Sequence, residues 1–240
     1  MKKVFSFVAV AAAMLVAGTA SAQLSVNAGY LNCSAKNHSE QTIGNTTQSS
    51  DTTVSMGGGF YVGGSYNVEL MGGLGVAPGI YFNYTGKKDE KTTSVPLVGD
   101  VTTTSTTKMM NINIPILVNY KLTFGDDFAI FAFAGPDIVF GLNANSKVVV
   151  KNGNTENTTE ADLYKKQDGE NAPALKRFDL GLMFGAGVQF TSFRLELGYE
   201  LGLLNRNGDP KGSETVAGIT TSYKNSSNFN RFFVGVGYVF

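Results

Sequence analysis

The stretch Arg177-Phe178-Asp179-Leu180-Gly181-Leu182-Met183-Phe184-Gly185-Ala186-Gly187-Val188-Gln189-Phe190-Thr191-Ser192-Phe193-Arg194-Leu195-Glu196-Leu197-Gly198-Tyr199-Glu200-Leu201-Gly202-Leu203 decides the fold when it is read two residues at a time. Phe178, Leu180, Leu182, Phe184, Ala186, Val188 and Phe190 alternate with Arg177, Asp179, Gly181, Met183, Gly185, Gly187 and Gln189. Beyond Thr191-Ser192 the alternation resumes, with Phe193, Leu195, Leu197, Tyr199, Leu201 and Leu203 against Arg194, Glu196, Gly198, Glu200 and Gly202. Side chains of a strand point alternately to opposite faces, so the stretch predicts two long strands joined by a two-residue turn.

The pattern recurs on both sides of this hairpin. The chain ends on Phe232, Val234, Val236, Tyr238 and Phe240, interleaved with Arg231, Phe233, Gly235, Gly237 and Val239. Upstream, Ile112, Ile114, Ile116 and Val118 face one way; Phe128, Ile130, Ile138, Phe140 and Leu142 share a face opposite Gly135, Asp137 and Gly141. Three further runs are carried by Leu74 with Val76, Ile80, Phe82 and Tyr84, by Met56 with Phe60, Val62 and Tyr66, and by Leu24 with Val26, Ala28 and Tyr30. The expected total is eight strands. Short connections near 67–72, 122–126 and 191–192 alternate with long polar ones over 34–53, 87–105, 145–174 and 205–227. Strict short-long alternation is the habit of an up-and-down membrane barrel, with short periplasmic turns and long external loops, whereas a β-sandwich mixes loop lengths at both ends.

Orientation follows from size. An eight-stranded barrel has an interior just wide enough for side chains to fill. The glycine-bearing face fits within it, and the Leu/Phe/Val face would overfill it. Charge agrees, because a mid-strand Arg facing lipid costs roughly 2–4 kcal/mol. Lys121, Asp137, Arg177, Asp179, Arg194, Glu196, Glu200 and Arg231 are therefore expected to form a charge-balanced network plugging the lumen; the competing reading places several of them, solvated, at the rims. Aromatic girdles are expected from Tyr66, Tyr120, Phe124, Phe128, Phe190, Phe193 and Phe240 at the short-turn end, and from Tyr30, Tyr84, Phe140, Phe178 and Phe229 nearer the loops.

The chain's start reads as an export signal. Met1-Lys2-Lys3, an apolar run from Val4 to Val16 and the tripeptide Ala20-Ser21-Ala22 are a basic region, a hydrophobic region and a cleavage site, in that order. The run is too short for a membrane helix, which needs about 20 residues. Cleavage is expected after Ala22, giving a signal peptide over 1–22 and a barrel over 23–240 of an outer membrane. The single cysteine, Cys33, excludes an internal disulfide and is expected to be a small packing residue at the end of the first strand. Formal net charge is zero with pI near 6.6, and no basic stripe suggests nucleic acid.

Asn113-Ile114-Pro115-Ile116-Leu117-Val118-Asn119-Tyr120-Lys121, then Phe133-Ala134-Gly135-Pro136, and the 177–205 segment together resemble the PorT-like outer-membrane β-barrel family. The resemblance implies an all-β, eight-stranded antiparallel transmembrane barrel, and one branch of that family serves as an accessory of a protein secretion system. Gly235, Gly237, Tyr238 and Phe240 resemble a C-terminal signal, with Tyr238 and Phe240 as its core, read by the barrel-insertion machinery. Outer-membrane lipid, that machinery and an unidentified loop partner are the expected partners.

Three functional classes are open at this point. The first is a non-catalytic barrel whose loops bind, adhere or assemble with envelope components; 41–53, 101–107 and 152–159, rich in Thr, Asn and Ser, read as solvated or flexible segments. The second is a lipid-modifying enzyme or protease, for which the chain offers only His38, next to Ser39 and Glu40. The third is a diffusion pore, expected of much larger barrels. No catalytic, cofactor or metal set is read, since Cys33 and His38 are isolated.

Overall fold

The computed structural model describes residues 22–95, 99–153, 155–166, 174–208, 211–216 and 219–240. The expected signal peptide, all but Ala22, lies outside these residues. Ten strands follow in chain order: β1 (Ala22–Ile43), β2 (Thr46–Met71), β3 (Leu74–Val95), β4 (Gly99–Phe124), β5 (Phe128–Asn152), β6 (Thr155–Asp162), β7 (Phe178–Phe190), β8 (Phe193–Gly202), β9 (Lys211–Val216) and β10 (Ile219–Val239). Eight of them close a ring in the order β1-β2-β3-β4-β5-β7-β8-β10, because β10 also pairs with β1 from Ser25↔Val239 to Ile43↔Thr221. Every neighbouring pair in it is antiparallel.

The hairpin that opened the reading is present with its register: Phe190 pairs with Phe193 and Gly187 with Glu196. Thr191 takes the left-handed backbone region, φ 50°, to close the two-residue turn. The apolar row faces outward, with Leu195 57% and Leu197 55% exposed. Glycines line the inside because the wall needs them there: a Cβ on Gly198 or Gly185 would run into the Phe233 or Phe133 ring.

Two corrections concern faces. Phe229 does not join the outer girdle; it lies on the odd, inward row of β10 and is buried with Cys33, Ala35, Met109 and Ala144. Met56 also leaves the lipid face. At a β-bulge opposite Cys33/Ser34, Gly57 pairs with Cys33 and Ser55 with Ser34, so Met56 is the extra residue and turns toward that inner cluster. Gly57 has φ 98° and lies against the Gly86 carbonyl, a position no side chain tolerates. Cys33 is a packing residue, but its strand continues far beyond it.

The largest correction concerns the four long connections, which are mostly strand. β1 runs to Ile43 and returns as β2 from Thr46; β3 and β4 extend to Val95 and from Gly99; β5 and β6 form a hairpin, as do β9 and β10. Thr and Val favour extended backbone, and each strand gains its partners from a neighbour. The extensions read as loops in the sequence because Thr, Ser and Asn fall on both faces and Val148-Val149-Val150 repeats without alternation, which erases the period-two contrast.

These extensions separate into two sheets. β2 pairs with β3 from Met71↔Leu74 up to Gly58↔Gly86, where the pairing stops at the bulge. Above that level β9-β10-β1-β2 form one four-stranded sheet and β3-β4-β5-β6 another. Beyond Tyr30, β1 alone adds roughly 40 Å of strand at about 3.3 Å per residue.

Candidate functional site

Inside the ring the side chains stack in three layers. Nearest the short turns is an aromatic cluster of Leu31, Tyr61, Phe131, Phe133 and Phe233; nearest the extensions is the cluster around Cys33, Met109 and Phe229. Between them lies a charged layer supplied by five different strands. Asp137, Asp179, Glu200 and Arg231 are all buried, and alternation places them inward from β5, β7, β8 and β10. Arg231 Nη1 donates to Glu200 Oε1. Asn113 of β4 links the carboxylates, donating from Nδ2 to Asp137 Oδ2 at 2.5 Å and to Glu200 Oε2 at 3.3 Å, while its own Oδ1 accepts from Asn83 at 2.9 Å.

Asp179 finds a partner that sequence reasoning missed. Arg206, in the segment after β8, is fully buried; its Nη1 lies 3.6 Å from Asp179 Oδ2, its Nε donates to the Lys176 carbonyl at 2.7 Å, and its guanidinium lies 5.0 Å from the Phe229 ring centre. Nothing in the 205–227 segment has strand periodicity, so no signal marked Arg206 as inward. Asn113 was hidden for another reason: an amide on an inward row carries no charge to be balanced.

The remaining expected members fall at other levels. Glu196 accepts from Tyr61 Oη at 2.8 Å, and Arg194 lies 4.0 Å from the centre of the Phe131 ring; both stand partly exposed toward the short-turn end. Lys121 lies at that rim beside the Gly73 turn, without an ion pair among the described residues. Arg177 stands apart. It is exposed at the opposite rim, where Nη1 donates to the carbonyls of Gly141 and Leu142 at 3.0 and 2.8 Å and the guanidinium lies 4.3 Å from the centre of the Tyr164 ring. Its distance from the charged layer has a simple cause, since it precedes the first residue of β7 and sits beyond the paired wall.

The lumen retains a cavity of about 70 Å³ bounded by residues of the aromatic and charged layers, among them Asn27, Tyr81, Arg194, Glu196 and Arg231. That is room for a few water molecules. Among the described residues, Asn27 Oδ1, Arg194 Nε and Arg231 Nη2 line it buried without a hydrogen-bond partner, and are groups such waters would satisfy.

His38, the one candidate general base, projects from β1 with Nδ1 2.9 Å from Asp51 Oδ1. Ser39, next in the strand, points to the other face and donates to Asn225 Oδ1 at 2.8 Å. Tyr238 and Phe240 pack edge to face at 5.0 Å on the outer surface, and the Phe240 N–H donates to the Leu24 carbonyl where the ring closes. Among the described residues no group of three or more His, Cys, Asp or Glu side chains is placed to hold a metal.

A closed antiparallel ring that exposes Leu, Val and Phe outward and buries ionic side chains within defines a transmembrane β-barrel of an outer membrane. The chain belongs to the family described as outer membrane protein beta-barrel domain, whose model matches residues 18–208, and it is an outer-membrane protein. No curated protein matches. Among solved structures it is similar to Ail, the attachment invasion locus protein of Yersinia pestis, at 12% identity over 92% of this chain and 100% of that one, TM-score 0.29. It is similar also to Neisserial surface protein A, at 12% identity over 92% and 98%, TM-score 0.34, and to OprG of Pseudomonas aeruginosa, at 10% identity over 93% and 98%, TM-score 0.42.

Proposed function

We propose that this small barrel is a non-catalytic platform whose two extracellular sheets bind a partner, in adhesion or as an accessory of an envelope or secretion assembly. The observation that carries the reading is the continuation of the wall as paired strands on both sides of the bulge at Gly57. Holding that much polar backbone in register costs conformational entropy that the membrane does not require. A rigid projecting surface is what such ordering supplies. The resemblance to PorT-like barrels makes the secretion accessory its special case. The geometry at His38 supports the non-catalytic part, because its neighbouring hydroxyl lies on the opposite face of the strand.

Photo-crosslinkers at Thr47, Thr103 and Glu160, one on each of three exposed hairpins, are to be activated in intact cells and the captured proteins identified. Capture of secretion components supports the accessory role, and capture of external ligands supports adhesion. Absence of any capture, with the barrel inserted, overturns the reading.

A transport role is checked separately. Because the charged layer spans the lumen, planar bilayers containing the barrel are expected to show negligible conductance. Steady, large single-channel steps would make it a pore.

A further inference from the structure

The barrel wall is lowest where β7 begins at Phe178 and β8 ends at Gly202, since β5 and β10 on either side continue into the extracellular sheets. This notch carries a groove of about 560 Å³ lined by Phe140, Phe178, Leu204, Lys176, Arg177 and Asn205. Its lower part is apolar and continuous with the lipid-facing band, for Phe140 and Phe178 are each about half exposed. Its upper part is cationic.

Both cations are held in place from behind. Arg177 spends Nη1 on the Gly141 and Leu142 carbonyls and rests on Tyr164, so its Nε and Nη2 remain to donate. Lys176 is pinned through its backbone, donating N–H to the Arg206 carbonyl and accepting from Arg206 Nε, while its exposed ammonium has no ion pair among the described residues. Among the described residues neither meets a carboxylate. On the other flank of β8, Lys36 shares a groove with His38 and Asp51, where a carboxylate offsets it.

We propose that the notch holds one outer-leaflet lipid whose phosphate headgroup is net anionic, the phosphate on Lys176 and Arg177 and an acyl chain along Phe140 and Phe178. The guanidinium fork and the ammonium suit phosphate oxygens. A water-borne ligand would first have to displace hydrocarbon from the two rings, whereas a membrane lipid arrives already in contact with them. The two cations thereby acquire a role that the lumen network does not give them.

The test uses the full barrel in phosphatidylcholine vesicles containing a minor fraction of phosphatidylglycerol, extracted in mild detergent, with retained lipids counted by native mass spectrometry. Retention of one phosphatidylglycerol per barrel is expected, weakened roughly thirtyfold by K176Q/R177Q, at about one fifth of binding left per cation removed. K176Q alone, which breaks no side-chain hydrogen bond or ion pair among the described residues, gives a partial loss should R177Q disturb the rim, and K36Q leaves retention unchanged. Equal retention of phosphatidylcholine, equal retention by K176Q/R177Q in a folded barrel, or the same loss with K36Q would overturn the site. So would displacement of the lipid by inorganic phosphate alone, which would make it a general anion site.

Discussion

Arg231→Ala is expected to cost about 3–5 kcal/mol of barrel stability, the range for breaking a buried ion pair by removing one partner. Arg231 is the cation that meets Glu200 directly, and Asp137 lies one amide away through Asn113. Without it, two neighbouring carboxylates that both accept from the Asn113 amide are left in a layer where Glu200 is 1% and Asp137 0% exposed. Urea unfolding of the barrel in vesicles, followed by the change in gel mobility on unfolding, measures the loss. The pair itself need not be net stabilising, because desolvating both charges offsets their attraction. Arg231→Met with Glu200→Gln is therefore expected to recover most of the loss. By the same logic Glu196→Gln stays within about 1 kcal/mol, since Glu196 is partly exposed and keeps a hydrogen bond to Tyr61. A wild-type midpoint for Arg231→Ala would mean that the charged layer does not hold the barrel together.

The spanning part of the fold was legible because lipid outside and a narrow lumen inside impose opposite demands on adjacent residues. Leu195 and Glu196 differ for that reason alone, and the same contrast marks each of the eight ring strands. Parity assigns Asp137, Asp179, Glu200 and Arg231 to the inside; their meeting is a matter of register. The two-residue turn at Thr191-Ser192 sets β7 against β8, but Glu200↔Arg231 is set across the long 205–227 segment, whose spacing no local rule supplies. Arg206 was invisible for the same reason, and Arg177 was misplaced because strand parity was carried one residue past the strand's first residue. Met56 and Phe229 mark the two ways a face assignment fails. At Met56 a bulge inserts one residue and turns the side chain; at Phe229 an aromatic ring was assigned by its height on the barrel when its odd position already pointed inward. The two sheet extensions escaped because Thr, Ser and Asn on both faces leave periodicity with nothing to report.

Leu197→Arg is expected to destabilise the inserted barrel by about 2–4 kcal/mol, the cost of an outward cation near the bilayer midplane, and Phe193→Arg by only about 0–1 kcal/mol near the interface. The two positions share a strand and a face, and Phe193 adjoins the short turn, so the difference reads depth directly. Position 198, one step along, answers to the opposite constraint. There Gly198→Val puts carbon where the Phe233 ring and the Phe184 carbonyl already stand, and overpacking is expected to cost about 1–3 kcal/mol. Valine is harmless at 197, where it merely exchanges one lipid-facing aliphatic for another. Unfolding midpoints of the four variants in one vesicle preparation separate the terms: a lipid-facing wall makes residue 197 sensitive to charge and indifferent to modest changes of volume, and a filled lumen makes residue 198 sensitive to volume. If Leu197→Arg and Phe193→Arg both left the midpoint in place, hydrocarbon would not be touching this row. The small and ionic side chains opposite would then have no reason to be enclosed.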